Sequence, residues 1–284
     1  MINLNEVVQY LKRNYPNLKA EIVTAAKNGG ECTGISVTFR ENASAIYYPN
    51  SYETDCDKVI NEILTMIGKI RGACPLDEIH LPTSFNEIKD KLTIGVMNES
   101  YEEMLKSHHI IIRREEDLIL YPVVVLNDSM SFKVTKTILK LWNVTEEQVF
   151  EAAYASEELN NVGLHSPFDL AMRNLDENYF EKNIDGSSER MFLVLFSHGN
   201  FHTAGAIFSP KIQKKLNKLF PDGFLILPAS VFELLILPPY FKDKVSPEIC
   251  KAMVKDVNMT EVSPEEYLSD SVYTIENGKL KKVA

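Results

Sequence analysis

The chain has 284 residues, of which 45% are hydrophobic and 25% are charged, and its formal net charge at pH 7 is −10. This length and composition are typical of a globular protein with one large domain or two smaller ones, and they argue against long-range disorder. The acidic balance disfavours a general nucleic-acid-binding protein and a protein of an anionic membrane surface, because both need clustered lysine and arginine.

The four cysteines, Cys32, Cys56, Cys74 and Cys250, form no C-x-x-C pair. In a chain of this size they are typical of free thiols in a reducing cytosol. The first residues lack the basic and apolar regions of a signal peptide, and no run approaches the roughly 18 apolar residues of a membrane span. We therefore expect a cytoplasmic protein with no membrane segment.

Residues 1–72 predict a small α-β-β-β-α unit. Leu4, Val7, Val8 and Leu11 recur at helical spacing, and Pro16 ends that helix. The strands and the second helix are predicted at 20–26, 33–39, 43–48 and 55–70. An Asn-Gly-Gly turn between the first two strands predicts a hairpin.

Residues 73–83 contain two prolines and predict a linker before a larger α+β domain over 84–284. The predicted helices of this domain are 85–91, 99–106, 136–142, 146–159 and 210–219. The predicted strands are 92–97, 110–114, 118–126, 191–196, 204–208, 224–227, 231–237 and 272–275. The strand at 118–126 is almost wholly apolar, which places it centrally in a sheet. Residues 157–190 are more polar and are interpreted as an insertion.

Ser-Pro pairs recur in the second half of the chain, at Ser166, Ser209, Ser246 and Ser263. Serine caps a helix by accepting a backbone hydrogen bond, and proline is tolerated at the first helical position. We therefore predict a helix start at each pair. The helix after Ser246 is predicted to face inward with Ile249, Met253, Val254 and Val257.

The residues that could carry chemistry are few, and the best are His198, His202 and Glu233. Two histidines four residues apart can share a metal ion on a helix, but these follow a strand and lack the glutamate of the H-E-x-x-H pattern. Glu233 stands in an otherwise apolar predicted strand, so it either points outward or is buried with a raised pKa. These residues are weak binding candidates, and we assign no catalytic residue and no metal ligand.

Other motifs of catalysis and cofactor binding are missing from the sequence. It contains no G-x-S-x-G, no P-loop and no G-x-G-x-x-G, so we expect no cofactor. The lysines of the helix at 210–219 form a basic stripe without interleaved aromatic residues, which is typical of a solvated face.

Four stretches of the C-terminal part are distinctive: 134–153, 191–206, 223–233 and 257–273, the last ending in Leu-Ser-Asp-Ser-Val-Tyr. They resemble a family of uncharacterised bacterial proteins, a domain of unknown function common in Clostridia and their mobile elements. Relatives often have a histidine just before the glutamate of the third stretch, where this chain has Phe232. The resemblance implies a fold and a genomic setting, but no reaction.

The sequence thus predicts an α+β protein whose small N-terminal unit packs on a larger C-terminal unit with mixed sheets. The leading hypothesis is a non-enzymatic accessory protein that binds a macromolecule, more readily protein than nucleic acid, in a mobile-element or anti-defence setting. The alternatives are a small-molecule or metal-dependent enzyme built on His198, His202 and Glu233, and an acidic mimic of nucleic acid. Oligomeric state and partner identity stay open.

Overall fold

The computed structural model describes residues 2–27, 30–40, 43–50, 52–73, 84–127, 130–168, 170–171, 192–196, 202–242 and 244–284. The chain divides into two compact units, Met1–Pro82 and Thr83–Ala284. Most of the predicted linker at 73–83 and most of the predicted insertion at 157–190 lie outside the described residues.

The N-terminal unit has the predicted order of elements. They are α1 (Leu4–Asn14), β1 (Lys19–Lys27), β2 (Gly30–Arg40), β3 (Ala43–Tyr47) and α2 (Cys56–Ala73). The strands form one antiparallel sheet in the order β1-β2-β3. Apolar residues of both helices pack on one face of this sheet, where Val7 and Leu11 of α1 and Ile63 of α2 meet Ile35 and Val37 of β2. The amphipathic periodicity of the two helices is therefore what assembles this unit.

The C-terminal unit alternates short helices with short strands. Its helices are α3 (Phe85–Ile88), α4 (Glu102–Ser107), α5 (Lys136–Trp142), α6 (Glu146–Ala155), α7 (Glu157–Asn160), α8 (Pro210–Leu219), α9 (Pro239–Lys242) and α10 (Pro247–Thr260). Its strands are β4 (Leu92–Asn98), β5 (Arg113–Glu115), β6 (Leu118–Asn127), β7 (Met130–Lys133), β8 (Gly163–His165), β9 (Leu193–Phe196), β10 (Leu225–Pro228), β11 (Leu234–Leu237), β12 (Tyr273–Glu276) and β13 (Lys279–Lys282). The predicted α+β class is confirmed.

These strands form two sheets. In the first, β6 lies centrally between β4 on one side and β5 and β7 on the other, as its apolar sequence predicts. The second has the order β13-β12-β10-β11-β9-β8. All described pairings are antiparallel, which refines the expectation of mixed sheets.

The main core lies between the two sheets. Ile94 of β4 and Leu120 of β6 share it with Ile226, Ile236 and Tyr273 of the second sheet. The opposite face of the second sheet is covered by α10 through a smaller cluster. The second sheet is therefore buried on both faces, which explains why its strands have near-continuous apolar sequences.

The free edge of β4 is covered by backbone and by a helix cap. Ser156, which caps α7, donates a hydrogen bond to the carbonyl oxygen of Leu92. Two residues along the strand, Gly205 lies so close to the carbonyl oxygen of Ile94 that a Cβ atom at 205 would be 1.8 Å from it. Covering an edge in this way prevents pairing with another chain.

Several local predictions are wrong where tertiary contacts override the pattern. The segment predicted as a strand over 204–208 is instead part of a 3₁₀ helix, Thr203–Phe208, which packs against β4. The predicted helix at 146–159 is broken at Ser156, which starts α7. The Ser263-Pro264 pair opens a single turn and no helix, although Glu266 and Tyr267 both donate to the carbonyl oxygen of Ser263.

No helix within the described ranges is long and apolar enough to cross a membrane.

Candidate functional site

Of the histidines predicted as a weak binding site, His198 lies outside the described residues and His202 is partly buried. The imidazole of His202 meets the ring of Tyr121 edge-on, with centroids 6.4 Å apart and planes at 85°. Burial, assisted by the positive charge of Lys133, lowers the pKa of His202 to about 4. The ring is therefore neutral at physiological pH.

Glu233 is not in a strand, which corrects the prediction of a strand over 231–237. It closes a turn before β11, where the backbone N–H of Ser230 donates to the carbonyl oxygen of Glu233 at 3.1 Å. Partial burial, followed by the nearby carboxylate of Glu266, raises the pKa of Glu233. The two glutamates thus form a half-buried acidic pair. The sequence had not indicated which side chain would lie near Glu233.

The segments that hold His202 and Glu233 are neighbours in the fold. Ala204 donates to the carbonyl oxygen of Val231 at 3.1 Å, and Val231 donates to that of Glu266 at 3.0 Å. The neighbouring charges that shift their pKa values are nevertheless different: Lys133 acts on His202, and Glu266 acts on Glu233. In the described part of the chain, no group of three or more His, Cys, Asp or Glu side chains is placed to hold a metal ion.

A polar cluster that the sequence did not reveal surrounds Asp117, at the turn between β5 and β6. We call Asp117, Ser269, Ser271, Tyr273 and Lys282 the Asp117 cluster. One carboxylate oxygen of Asp117 accepts from the Ser269 and Ser271 hydroxyls at 2.9 and 2.8 Å, and the other accepts from Tyr273 at 2.6 Å. The ammonium group of Lys282 lies 3.3 Å from the carboxylate.

The electrostatics of the Asp117 cluster favour a fixed charge. Burial opposes the ionisation of Asp117, but the donors Tyr273, Ser271 and Ser269, with Lys282, outweigh burial and lower its pKa. Burial and the hydrogen bond to Asp117 raise the pKa of Tyr273 well above its usual value. Neither group changes protonation near neutral pH, so the cluster is suited to holding structure and not to proton transfer.

Two asparagine amides hold the same segment from its other sides. The amide of Asn98 donates to the carbonyl oxygen of Leu268 at 2.7 Å, and that of Asn258 donates to the carbonyl oxygen of Ser269 at 3.0 Å. The Leu268–Tyr273 segment, which carries much of the family resemblance, therefore joins the tip of the first sheet, α10 and the second sheet. Only the recurrence of hydroxyl residues in this segment could have signalled the arrangement from sequence.

Helix α10 presents apolar side chains on its outer side, contrary to prediction. Cys250 and Val254 are buried against the sheet, but Ile249, Met253 and Val257 are 55%, 58% and 47% exposed. These three residues, which we call the α10 stripe, follow one another at intervals of four. Because 3.6 residues make one helical turn, they form one continuous row along the helix. A solvated helix face normally carries polar residues at such positions.

A concave feature lies on the outer face of α2. Asn61, Thr65 and Met66 line an open groove together with Tyr47 of β3. The hydroxyl group of Tyr47 donates to the carboxylate of Glu62, and burial and this bond raise the pKa of Tyr47 to about 12. Charged side chains also line the groove, among them Asp57, Lys58 and Lys69.

The model of a family of unknown function, DUF5688, matches residues 3–276. The chain belongs to this family. No curated protein matches the chain, and no solved structure matches it.

The match places this DUF5688 protein in a family without an assigned activity, as the resemblance implied. The matched range covers both compact units, α10, and all of the Asp117 cluster except Lys282. Phe232, at the position where the resemblance expects a histidine, packs against the main core. A histidine–glutamate pair is therefore not formed by residues 232 and 233 of this chain.

Proposed function

We propose that this DUF5688 protein is a non-enzymatic accessory protein that binds another protein, and that the α10 stripe is its contact surface. The observation that carries the proposal is the exposure of Ile249, Met253 and Val257 in one row. Scattered exposed apolar residues are common in monomeric proteins, whereas contiguous apolar surface marks interaction sites. A row at intervals of four is the pattern by which helices recognise partners.

The apolar surface of the stripe suits a partner of ordinary affinity. Fully burying one large aliphatic side chain contributes about 1.5–3 kcal/mol, and each residue of the stripe has about half of its surface still to bury. Three such residues can supply a few kcal/mol, which needs support from the surrounding polar surface to reach micromolar affinity. The stripe is thus a hot-spot-sized patch at the centre of a larger contact.

The setting is part of the same proposal. The resemblance to clostridial proteins of mobile elements suggests a cytoplasmic role. An anti-defence role, in which the protein binds and inhibits a host defence protein, fits a chain without catalytic motifs. The acidic net charge of −10 favours partners with basic surfaces.

The proposal is tested by placing a photocrosslinking amino acid at position 253 and producing the full chain in the organism of origin. A control protein carries the same amino acid at Lys251, which is exposed on the same helix but points away from the stripe. We expect a crosslinked protein from position 253 and not from position 251, and loss of that crosslink when Ile249→Ser is added. The absence of any product at position 253, or equal products at both positions, would refute this function.

A further inference from the structure

We infer, on the basis of the proposed function, that the element contacting the α10 stripe is a cationic amphipathic helix of the partner protein. The inference rests on the shape of the stripe, on the distribution of charge around it and on the uncompensated end of α10.

The shape of the stripe favours a helical occupant. Ile249 and Val257 are eight residues apart, which is about 12 Å along a helix at 1.5 Å per residue. An adjacent helix can cover this length with apolar residues at positions i, i+4 and i+8 while satisfying its own backbone hydrogen bonds. An extended segment would place unpaired N–H and C=O groups against apolar side chains, because the side of a helix offers no free backbone partners.

The charges around the stripe are acidic on its exposed side. Asp256 is exposed and lies about 60° around the helix from Met253, at 100° per residue. Glu261 and Glu265 are exposed just beyond the end of the helix. The lysines of α10 lie on the far side, because Lys251 and Lys255 are each about 160° from Met253. Within α10 and the turn that follows it, a partner at the stripe therefore meets carboxylates before it meets ammonium groups.

The C-terminal end of α10 adds to this preference. The last turn of the helix carries no basic side chain. The partial negative charge of the last carbonyl groups is therefore not offset by the helix itself, and a cation placed there by a partner is stabilised. Before the N-terminal end of α10, the ammonium group of Lys244 donates to the hydroxyl group of Tyr240 at 2.7 Å and lies over the ring of the same tyrosine.

A second copy of the chain fits less well than a cationic helix. Each copy carries a net charge of −10, so self-association opposes like charges, whereas a basic partner is attracted to the same surface. The occupant that satisfies both the apolar row and the acidic surround has aliphatic residues on one face and lysine or arginine beside them.

The test uses two synthetic helical peptides and the full-length protein. Both peptides carry leucine at positions i, i+4 and i+8, and the flanking positions are lysine in one and glutamate in the other. Fluorescence anisotropy is expected to show the lysine peptide binding at least about tenfold more tightly at low salt, with the difference shrinking as salt is added. Met253→Ser is expected to weaken the lysine peptide about fivefold or more, and Asp256→Asn about twofold. Lys251→Ser is the matched control and is expected to leave the affinity unchanged within about twofold.

Equal affinities for the two peptides would overturn the inference. An affinity for the lysine peptide that Met253→Ser leaves unchanged would also overturn it. So would a wild-type dimer in light scattering that Met253→Ser converts to a monomer, since the occupant would then be a second copy. The crosslinking experiment distinguishes a failure of this inference from a failure of the proposed function. A partner captured at position 253 through a neutral or acidic segment removes the cationic helix and leaves the proposed function, whereas no capture at 253 removes the function.

Discussion

Replacing Asp117 by alanine tests whether the Asp117 cluster joins the two sheets of the C-terminal unit. In the native protein the carboxylate accepts from Tyr273, Ser271 and Ser269 at 2.6–2.9 Å. A hydrogen bond to a charged group contributes about 1.5–3 kcal/mol, and a buried donor left without a partner costs about 1–3 kcal/mol. The side chain of Asp117 is 12% exposed, so water can restore part of what is lost. We expect Asp117→Ala to lower the free energy of unfolding by about 3–5 kcal/mol.

The measurement is urea unfolding followed by the fluorescence of Trp142, the single tryptophan, which is buried in the same unit. Tyr273→Phe removes one of the hydrogen bonds and is expected to cost about 2 kcal/mol. If the two groups interact, the double variant should show a coupling energy of about 1.5–2 kcal/mol. Glu103→Ala, at an acidic side chain that is 87% exposed, is the control and should change stability by less than about 0.5 kcal/mol.

The pH dependence gives an independent check of the same charge. The folded-state pKa of Asp117 is lowered below its unfolded value, so its contribution is present above about pH 4 and is lost as the pH falls below it. The stability difference between wild type and Asp117→Ala should therefore narrow in acid. A loss under about 1 kcal/mol for Asp117→Ala, or additive effects of Asp117→Ala and Tyr273→Phe, would refute a joining role for the cluster.

Four further predictions concern single positions. Gly205→Ala places a Cβ atom 1.8 Å from a backbone oxygen of β4 and should cost about 3 kcal/mol or more in urea unfolding. Gly68→Ala, with no atom within 4 Å of the new Cβ, should instead raise stability by about 0.5–1 kcal/mol, measured by circular dichroism, and a destabilised variant would contradict this. His202 has a pKa near 4 in the folded state against about 6.5 unfolded, so stability should fall by up to about 3 kcal/mol as the pH drops from 6.5 to 4. His202→Gln should flatten that dependence, His109→Asn at an exposed histidine should not, and equal slopes in both variants would count against the burial of His202. The hydroxyl of Thr93 is buried without a hydrogen-bond partner among the described residues, so Thr93→Val should be neutral or stabilising by about 1 kcal/mol, and a loss above that in thermal unfolding would reveal a partner.

The local elements were largely predictable because their causes span only a few residues. The order of elements in the N-terminal unit and the helix at Lys136–Trp142 follow from periodicity and turn chemistry. The central place of β6 follows from its continuous apolar sequence. The 3₁₀ helix at Thr203–Phe208 was missed because its apolar residues are buried by packing on β4, and burial on all sides gives a strand and a buried turn the same sequence pattern.

The candidate sites, unlike the local elements, could be predicted from the sequence only to a small extent. Glu233 could be picked out from sequence as an unusual charge, but its pairing with Glu266 depends on a turn that only the fold creates. The direction in which α10 faces could not be inferred, since an apolar arc wide enough to include Ile249, Val254 and Val257 can be buried at either margin.

By itself, the sequence determined the α+β class, the succession of helices and strands and the membership of a family whose model matches residues 3–276, a range that includes the Leu268–Tyr273 segment. Only the tertiary structure decided what that segment does, because Asp117 and Tyr273 are separated by 156 residues and meet only when the two sheets pack. It also decided that three apolar residues of α10 face solvent, since the sheet beneath the helix accommodates Cys250 and Val254 and leaves the next row uncovered. Local sequence sets the shape of each element, and the packing of elements distant in sequence sets which of their residues remain available to a partner.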